Sequence, residues 1–185
     1  MRDIITLLEA NSKPSDLEIV KLSYPESGLQ PVFSASLMRL HYGKLAHGYA
    51  ERFNKNIGDK QFNYAGCWLH NLYFTQFRPA RTNNVPNGPI GSLIKSRFKS
   101  FDAFKEAVEN AAMNLHGSGW VYLARDGTIK TIQNHQVRND ILILIDMWEH
   151  AFQNDYGSNK EKYLDNIWRI MDWNALNTRW GQGYK

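Results

Sequence analysis

The run Ile141-Leu142-Ile143-Leu144-Ile145 constrains the fold of this chain more than any other stretch. An unbroken series of β-branched and Leu residues this short predicts a buried strand. Asp146 then stands where the strand leaves the core, and His150 follows four residues later. A carboxylate and an imidazole at that spacing can converge on one metal ion. The spacing is equally compatible with a satisfied carboxylate and a surface histidine, so the two residues do not settle the matter.

The flanking segments predict what packs around that strand. Ser34 or Ser36 is placed to cap a long helix on which Leu37, His41, Leu45 and Tyr49 recur every fourth residue and share one face. A polar turn from Asn54 to Lys60 reverses the chain into a second helix over about Phe62 to Gln76. The stretch Arg78 to Gly91, with Pro79, Pro86, Asn87-Gly88 and Pro89, reads as a linker. Ser100 caps a third helix that turns Phe101, Phe104, Val108, Ala111 and Ala112 inward and ends near Gly117. Trp120–Ala124 and Thr128–Gln133 flank Asp126-Gly127, a hairpin signal. Asn159 caps a last helix running to about Met171. The predicted fold is α+β: an N-terminal antiparallel helical hairpin, then a C-terminal lobe with helices and a three-stranded antiparallel sheet. The predicted division is an N-terminal extension over 1–28, a hairpin domain over 29–80 and an α+β domain over 90–185. Within the extension, Ile4-Ile5 and Leu7-Leu8 suggest a short helix, broken beyond it by Pro14, Pro25 and Gly28.

Composition narrows the function classes. No apolar run approaches the roughly 20 residues of a membrane helix. The beginning of the chain is charged early and its apolar stretch is too short for a secretory signal. The single cysteine, Cys67, excludes an internal disulfide framework and fits a reducing compartment, so the expected location is cytoplasmic. A net charge of +4 is modest, and the basic clusters Lys95-Ser96-Arg97-Phe98-Lys99 and Lys160-Glu161-Lys162 are short and interrupted. Neither nucleic acid nor membrane is therefore an expected partner. A mild positive balance does suit long-range steering of an anionic substrate.

Four segments, in order, carry a resemblance. They are Leu40-His41-Tyr42-Gly43-Lys44-Leu45-Ala46-His47-Gly48-Tyr49, Ala65-Gly66-Cys67-Trp68-Leu69-His70, Gly117-Ser118-Gly119-Trp120-Val121-Tyr122-Leu123, and Asp146-Met147-Trp148-Glu149-His150-Ala151-Phe152. Tyr163, Trp168, Asp172 and Trp173 extend it toward the C-terminus, where the family usually has Asn in place of Asp172. The set resembles the iron and manganese superoxide dismutases from about Leu29 to Trp180. That resemblance implies one iron or manganese ion per subunit, held by His41, His70, Asp146 and His150, with superoxide as substrate. Three imidazoles and a carboxylate suit either metal and leave a fifth position for solvent. It further implies that Tyr49 lines the substrate channel and that His135 hydrogen-bonds the metal-bound solvent from the sheet lobe. The opposite position, where many iron enzymes carry Gln, is Gly66. Trp120, Trp148 and Tyr73 are expected to wall the site, and Lys160 stands near the place of a channel cation.

The chain also departs from the family. Leu45 stands where a His is usual and Gln153 where a Tyr is usual, two residues that meet across the family's dimer interface. Loss of both leaves no orphan polar group. Glu149 is kept, which implies a homodimer with Glu149 and His150 at the interface. His41 and His70 are 29 residues apart (70 − 41), a short spacing for the family. The shortening is expected at the hairpin tip, which favours a dimer over a tetramer. The alternative reading is a protein of the same fold kept as a structural or assembly component with little or no catalytic activity.

Overall fold

Ser34 opens the first helix, its hydroxyl oxygen accepting a hydrogen bond from the Leu37 N–H at 3.0 Å. In the computed structural model, which describes residues 16–182, α1 (Ala35–Leu40) runs on through a π-helical stretch (His41–Ala46) into α2 (His47–Asn54). The wider π turn inserts one residue into the helical repeat. Every later position is thereby rotated. Leu37, His41, Ala46, Tyr49, Ala50 and Phe53 are buried, while Leu45 is only half-buried. The four-residue periodicity that put Leu45 on the inner face is corrected by this insertion.

Asp59 accepts from the Phe62 N–H at 2.9 Å and starts α3 (Lys60–Phe74). From Ala65 to Phe74 every residue of α3 is buried, so this part of the helix is enclosed on all sides. The short Asn54–Lys60 turn folds α3 back against α2, as expected. Residues 16–24 lie across the pair as an extended strap. The Asn54 side chain bonds both the N–H and the C=O of Leu17, at 2.7 and 2.9 Å. Asn71 does the same for Val20 N–H and Glu18 C=O, at 2.8 and 3.0 Å. The short helix expected over Ile4–Leu8 and the break at Pro14 lie outside the described residues.

The stretch read as a linker contains the start of a helix, α4 (Gly88–Phe98). Asn87 stands at its N-cap and Pro89 in its first turn, where a missing N–H costs nothing. Ser100 caps α5 (Phe101–Met113), accepting from the Ala103 N–H at 3.0 Å. Three strands follow, β1 (Gly119–Ala124), β2 (Ile129–Gln133) and β3 (Ile141–Asp146), paired antiparallel in the order β2-β1-β3. At the turn before β2, Asp126 Oδ1 accepts from the Thr128 N–H and hydroxyl, and Gly127 takes φ +80°. Strands β1 and β3 are buried throughout; β2 is an outer strand with Ile132 as its buried residue.

The outer backbone of β3 is not bare. The Gln76 side chain accepts from the Leu144 N–H at 3.1 Å and donates to the Leu144 C=O, and the Arg179 guanidinium donates to the Leu142 C=O at 2.9 Å. Beyond β3 come a 3-10 turn (Glu149–Ala151), α6 (Gln153–Tyr156), α7 (Lys160–Ile167) capped by Asn159, and a second 3-10 turn (Trp168–Ile170). The chain does not finish its helices near Met171. Asp172 Oδ1 accepts from the N–H groups of Asn174 and Ala175 and starts α8 (Trp173–Gln182). The architecture is α+β with a three-stranded antiparallel sheet, as the sequence predicts. Among the described residues no helix is long and apolar enough to cross a membrane.

Candidate metal centre

Four elements deliver four side chains to one point. His41 opens the π stretch, His70 lies in the buried middle of α3, Asp146 ends β3, and His150 sits in the 3-10 turn that follows. One ligand atom from each lies within 4.8 Å of all the others. Asp146 Oδ2 is 3.1 Å from His41 Nε2, 3.5 Å from His150 Nε2 and 3.8 Å from His70 Nε2. None of these four atoms has a hydrogen-bond partner, although all are buried. The separations would suit ion pairs, but the orientations do not suit hydrogen bonds. The atoms are arranged around a common centre, not aimed at one another. Four orphaned buried polar atoms are costly without a fifth party to satisfy them. A metal ion fits this donor set: three imidazole nitrogens and one carboxylate oxygen, chemistry that iron and manganese accept.

Neighbouring groups orient the donors. His70 Nδ1–H donates to the Gly66 C=O at 2.6 Å, which leaves the Nε2 lone pair facing the centre. Asp146 Oδ1 accepts from the Trp148 N–H at 2.9 Å and so turns Oδ2 inward. The Tyr163 hydroxyl donates to the Asp146 C=O at 2.8 Å and is itself 3.1 Å from the Tyr73 hydroxyl. Burial holds the His41 and His70 pKa values below the usual imidazole range, so both rings are neutral at pH 7 and have a lone pair to offer. Burial acts the opposite way on Asp146, but the adjoining His150 and His41 imidazoles outweigh it and hold the carboxyl well below its usual range. Of the four side chains, His150 alone is appreciably exposed, at 16%.

His135 reaches the same neighbourhood by a backbone device. Asn134, just past β2, adopts φ +53°, a left-handed conformation that Asn tolerates better than most residues. The chain bends there and His135 is buried. The Trp120 indole N–H donates to His135 Nδ1 at 3.2 Å. Burial lowers the His135 pKa to about 4, so the ring is neutral and its proton sits on Nε2. That Nε2 is buried without a partner. The ring lies 4.8 Å from Tyr49 and 5.8 Å from His70, centroid to centroid. Trp148 stacks on it at 4.5 Å and on His150 at 5.5 Å. Tyr49 lies 5.1 Å from His70, and burial, reinforced by the Asp146 charge, pushes its phenol up to about 12. Tyr49 and His135 are gathered here with Tyr73, Trp120 and Trp148, whereas Lys160 is not: its ammonium extends over the Phe152 ring.

Three neighbours escaped the sequence reading. Phe62 packs 4.7 Å from His135, and Arg52 lies over the Tyr49 ring with its Nε–H donating to Asn63. Their signal was weak: Arg52 falls one turn after Tyr49 on the same helix, but its partner comes from the far side of the hairpin tip.

Comparison with known proteins adds to this geometry. Residues 86–179 match the family model described as iron/manganese superoxide dismutases, C-terminal domain. A superoxide dismutase [Mn/Fe] of Porphyromonas gingivalis is 34% identical over 189 residues, covering 88% of this chain and 98% of the relative. A superoxide dismutase [Fe] of Bacteroides fragilis is 32% identical with the same two coverages. A mitochondrial superoxide dismutase [Mn] 3.3 of Zea mays is 30% identical, covering 82% of this chain and 79% of the relative.

Proposed function

The chain belongs to the iron/manganese superoxide dismutase family, and from that premise we propose that it converts two superoxide anions and two protons into dioxygen and hydrogen peroxide. The observation that carries this reading is the convergence of four buried, unpartnered donor atoms within 4.8 Å. His41, His70, Asp146 and His150 are the residues we assign to hold one iron or manganese ion per subunit. That ion, once bound, supplies the one-electron couple that oxidises one superoxide and reduces the next.

The remaining work falls to the chain. The Gly66 carbonyl and the Trp148 N–H hold His70 and Asp146 in orientation toward the centre. Peroxide formation consumes protons. His135 Nε2–H and the Tyr49 hydroxyl are the proton-bearing groups beside the centre, and we assign them the catalytic roles. A phenol with a pKa of about 12 stays protonated at neutral pH, which suits a donor. The Trp148 indole, stacked on both His135 and His150, keeps water from much of the space between them.

We further propose a homodimer, supported by the exposure of Glu149 and the partial exposure of His150. Division into residues 29–80 and 90–185, with an extension over 1–28, belongs to the same proposal, as does a cytoplasmic location, which the single free cysteine favours. The test is metal analysis of protein from its native host, paired with direct measurement of superoxide decay. Stoichiometric iron or manganese with catalysed decay supports the enzyme. Stoichiometric metal without catalysis would move the chain to the alternative, a structural or assembly protein of the same fold.

A further inference from the structure

Arg52 stands beside the candidate centre. Its guanidinium carbon lies 4.8 Å over the Tyr49 ring. Its Nε–H donates to Asn63 Oδ1 at 3.0 Å. Asn63 is 3% exposed and is fixed in turn by donating to the Ile57 C=O at 3.0 Å. Gly48 clears the space: a Cβ there would come within 2.9 Å of an Arg52 terminal nitrogen. Among the described residues no carboxylate lies within ion-pair distance of Arg52, and its neighbour Glu51 is occupied by Lys55. A cation so positioned, held in no direct ion pair, is poised to attract an anion. Lys160, by contrast, extends over Phe152, and Lys60 over Phe53.

We propose that Arg52 is the anion-attracting residue of this site, drawing a small monovalent anion to the space beside Tyr49 and His135. The proposal rests on the superoxide reading for the identity of that anion, not for its charge. The field of such a group extends about 8–10 Å at moderate salt and weakens as salt rises. Steering by a charged surface raises association rates by roughly 10–10³ in all, of which one well-placed charge should supply roughly three- to tenfold.

The experiment uses the iron-loaded full chain with azide as the probe anion, titrated by its absorption change, beside superoxide decay measured at low and high ionic strength. Arg52→Gln should weaken azide binding roughly three- to tenfold, lower the low-salt rate constant similarly, and flatten its salt dependence. Arg52→Lys should keep the salt dependence. Asn63→Ala, which releases the guanidinium, should fall between Arg52→Gln and the unaltered protein. Lys99→Gln removes the same unit of charge from an exposed position and should change neither quantity by more than about twofold. Arg52→Gln behaving like Lys99→Gln, or an unaltered protein that binds no azide, overturns the proposal. Arg52-dependent azide binding without superoxide decay would leave Arg52 as an anion attractor and overturn the dismutase reading instead.

Discussion

Gly66 faces Tyr49 so closely that a Cβ on it would lie 2.8 Å from the Tyr49 ring, and 3.1 Å from the ring of His135. The two rings are 4.8 Å apart and share the space that the glycine leaves. Gly66→Ala should therefore displace both while leaving all four donors in place. The expected result is full metal content with turnover lowered roughly 10–100-fold, since sub-ångström to 1 Å misplacement can cost that much. Elemental analysis and steady-state kinetics on one preparation check it; unchanged turnover would mean that neither ring works in the reaction.

His70→Ala and Asp146→Ala each remove one corner of the donor set and should abolish both bound metal and activity. Metal-free protein should stay folded but melt lower. Binding confined to the native state contributes about 4 kcal/mol when free metal stands at a thousandfold over its dissociation constant. Calorimetry of loaded and stripped protein measures the difference. Stoichiometric metal in either variant would place the site elsewhere.

His135→Gln should retain metal and change the ratio of iron to manganese activity. The Trp120 N–H holds His135 with its Nε2–H toward the centre's surroundings, and groups in that position tune both proton supply and reduction potential. Kinetics on the variant loaded separately with each metal give the answer; identical ratios before and after would take His135 out of the mechanism.

Glu149→Ala should weaken dimerisation and metal retention together, the latter roughly 10–100-fold, if Glu149 supports the partner's His150. Leu45→His alone should gain little, because Gln153 offers no matching phenol; Leu45→His with Gln153→Tyr should exceed the sum of the single changes. Sedimentation and metal content on this set decide it, a monomeric unaltered protein being the adverse outcome.

Cys67 gives a pH prediction away from the metal. Burial raises its thiol from 9.0 to about 12, so the folded state holds this proton more tightly than the unfolded chain. The associated stability is fully present below pH 9 and is lost as pH rises from 9 toward 12. Replacement by Ala should flatten the alkaline part of the melting curve in that window. Alkylation by iodoacetamide at pH 8 should be slow in the native protein and fast after unfolding; rapid native labelling would contradict the burial.

The strands and the four converging side chains were legible because their signals are local: an unbroken apolar run, a hairpin turn at Asp126-Gly127, and short ordered segments around each donor. What was not legible depended on context. Leu45 satisfies a four-residue repeat on paper, and only the π turn at His41–Ala46 moves Ala46 into its place. Gly88-Pro89 reads as a break, yet both are at ease in the first turn of α4. In the mostly polar α8 only Trp173, Leu176 and Trp180 mark the inner face, a short helical repeat that follows the available cap Asp172. Arg52 and Asn63 meet only once the hairpin closes.

The side chains laid along β3 bear on how the molecule fails. A strand with an unpaired outer edge is a template for adding a strand from another copy. Gln76 imitates a neighbouring strand at Leu144, and Arg179 occupies the carbonyl of Leu142. The native state thus offers no free template along this stretch of its most apolar strand. Arg179 belongs to α8, the last described helix of the chain. Fraying of that helix would uncover the Leu142 carbonyl. Self-association of this protein under mild stress should accordingly begin with detachment of its last described helix.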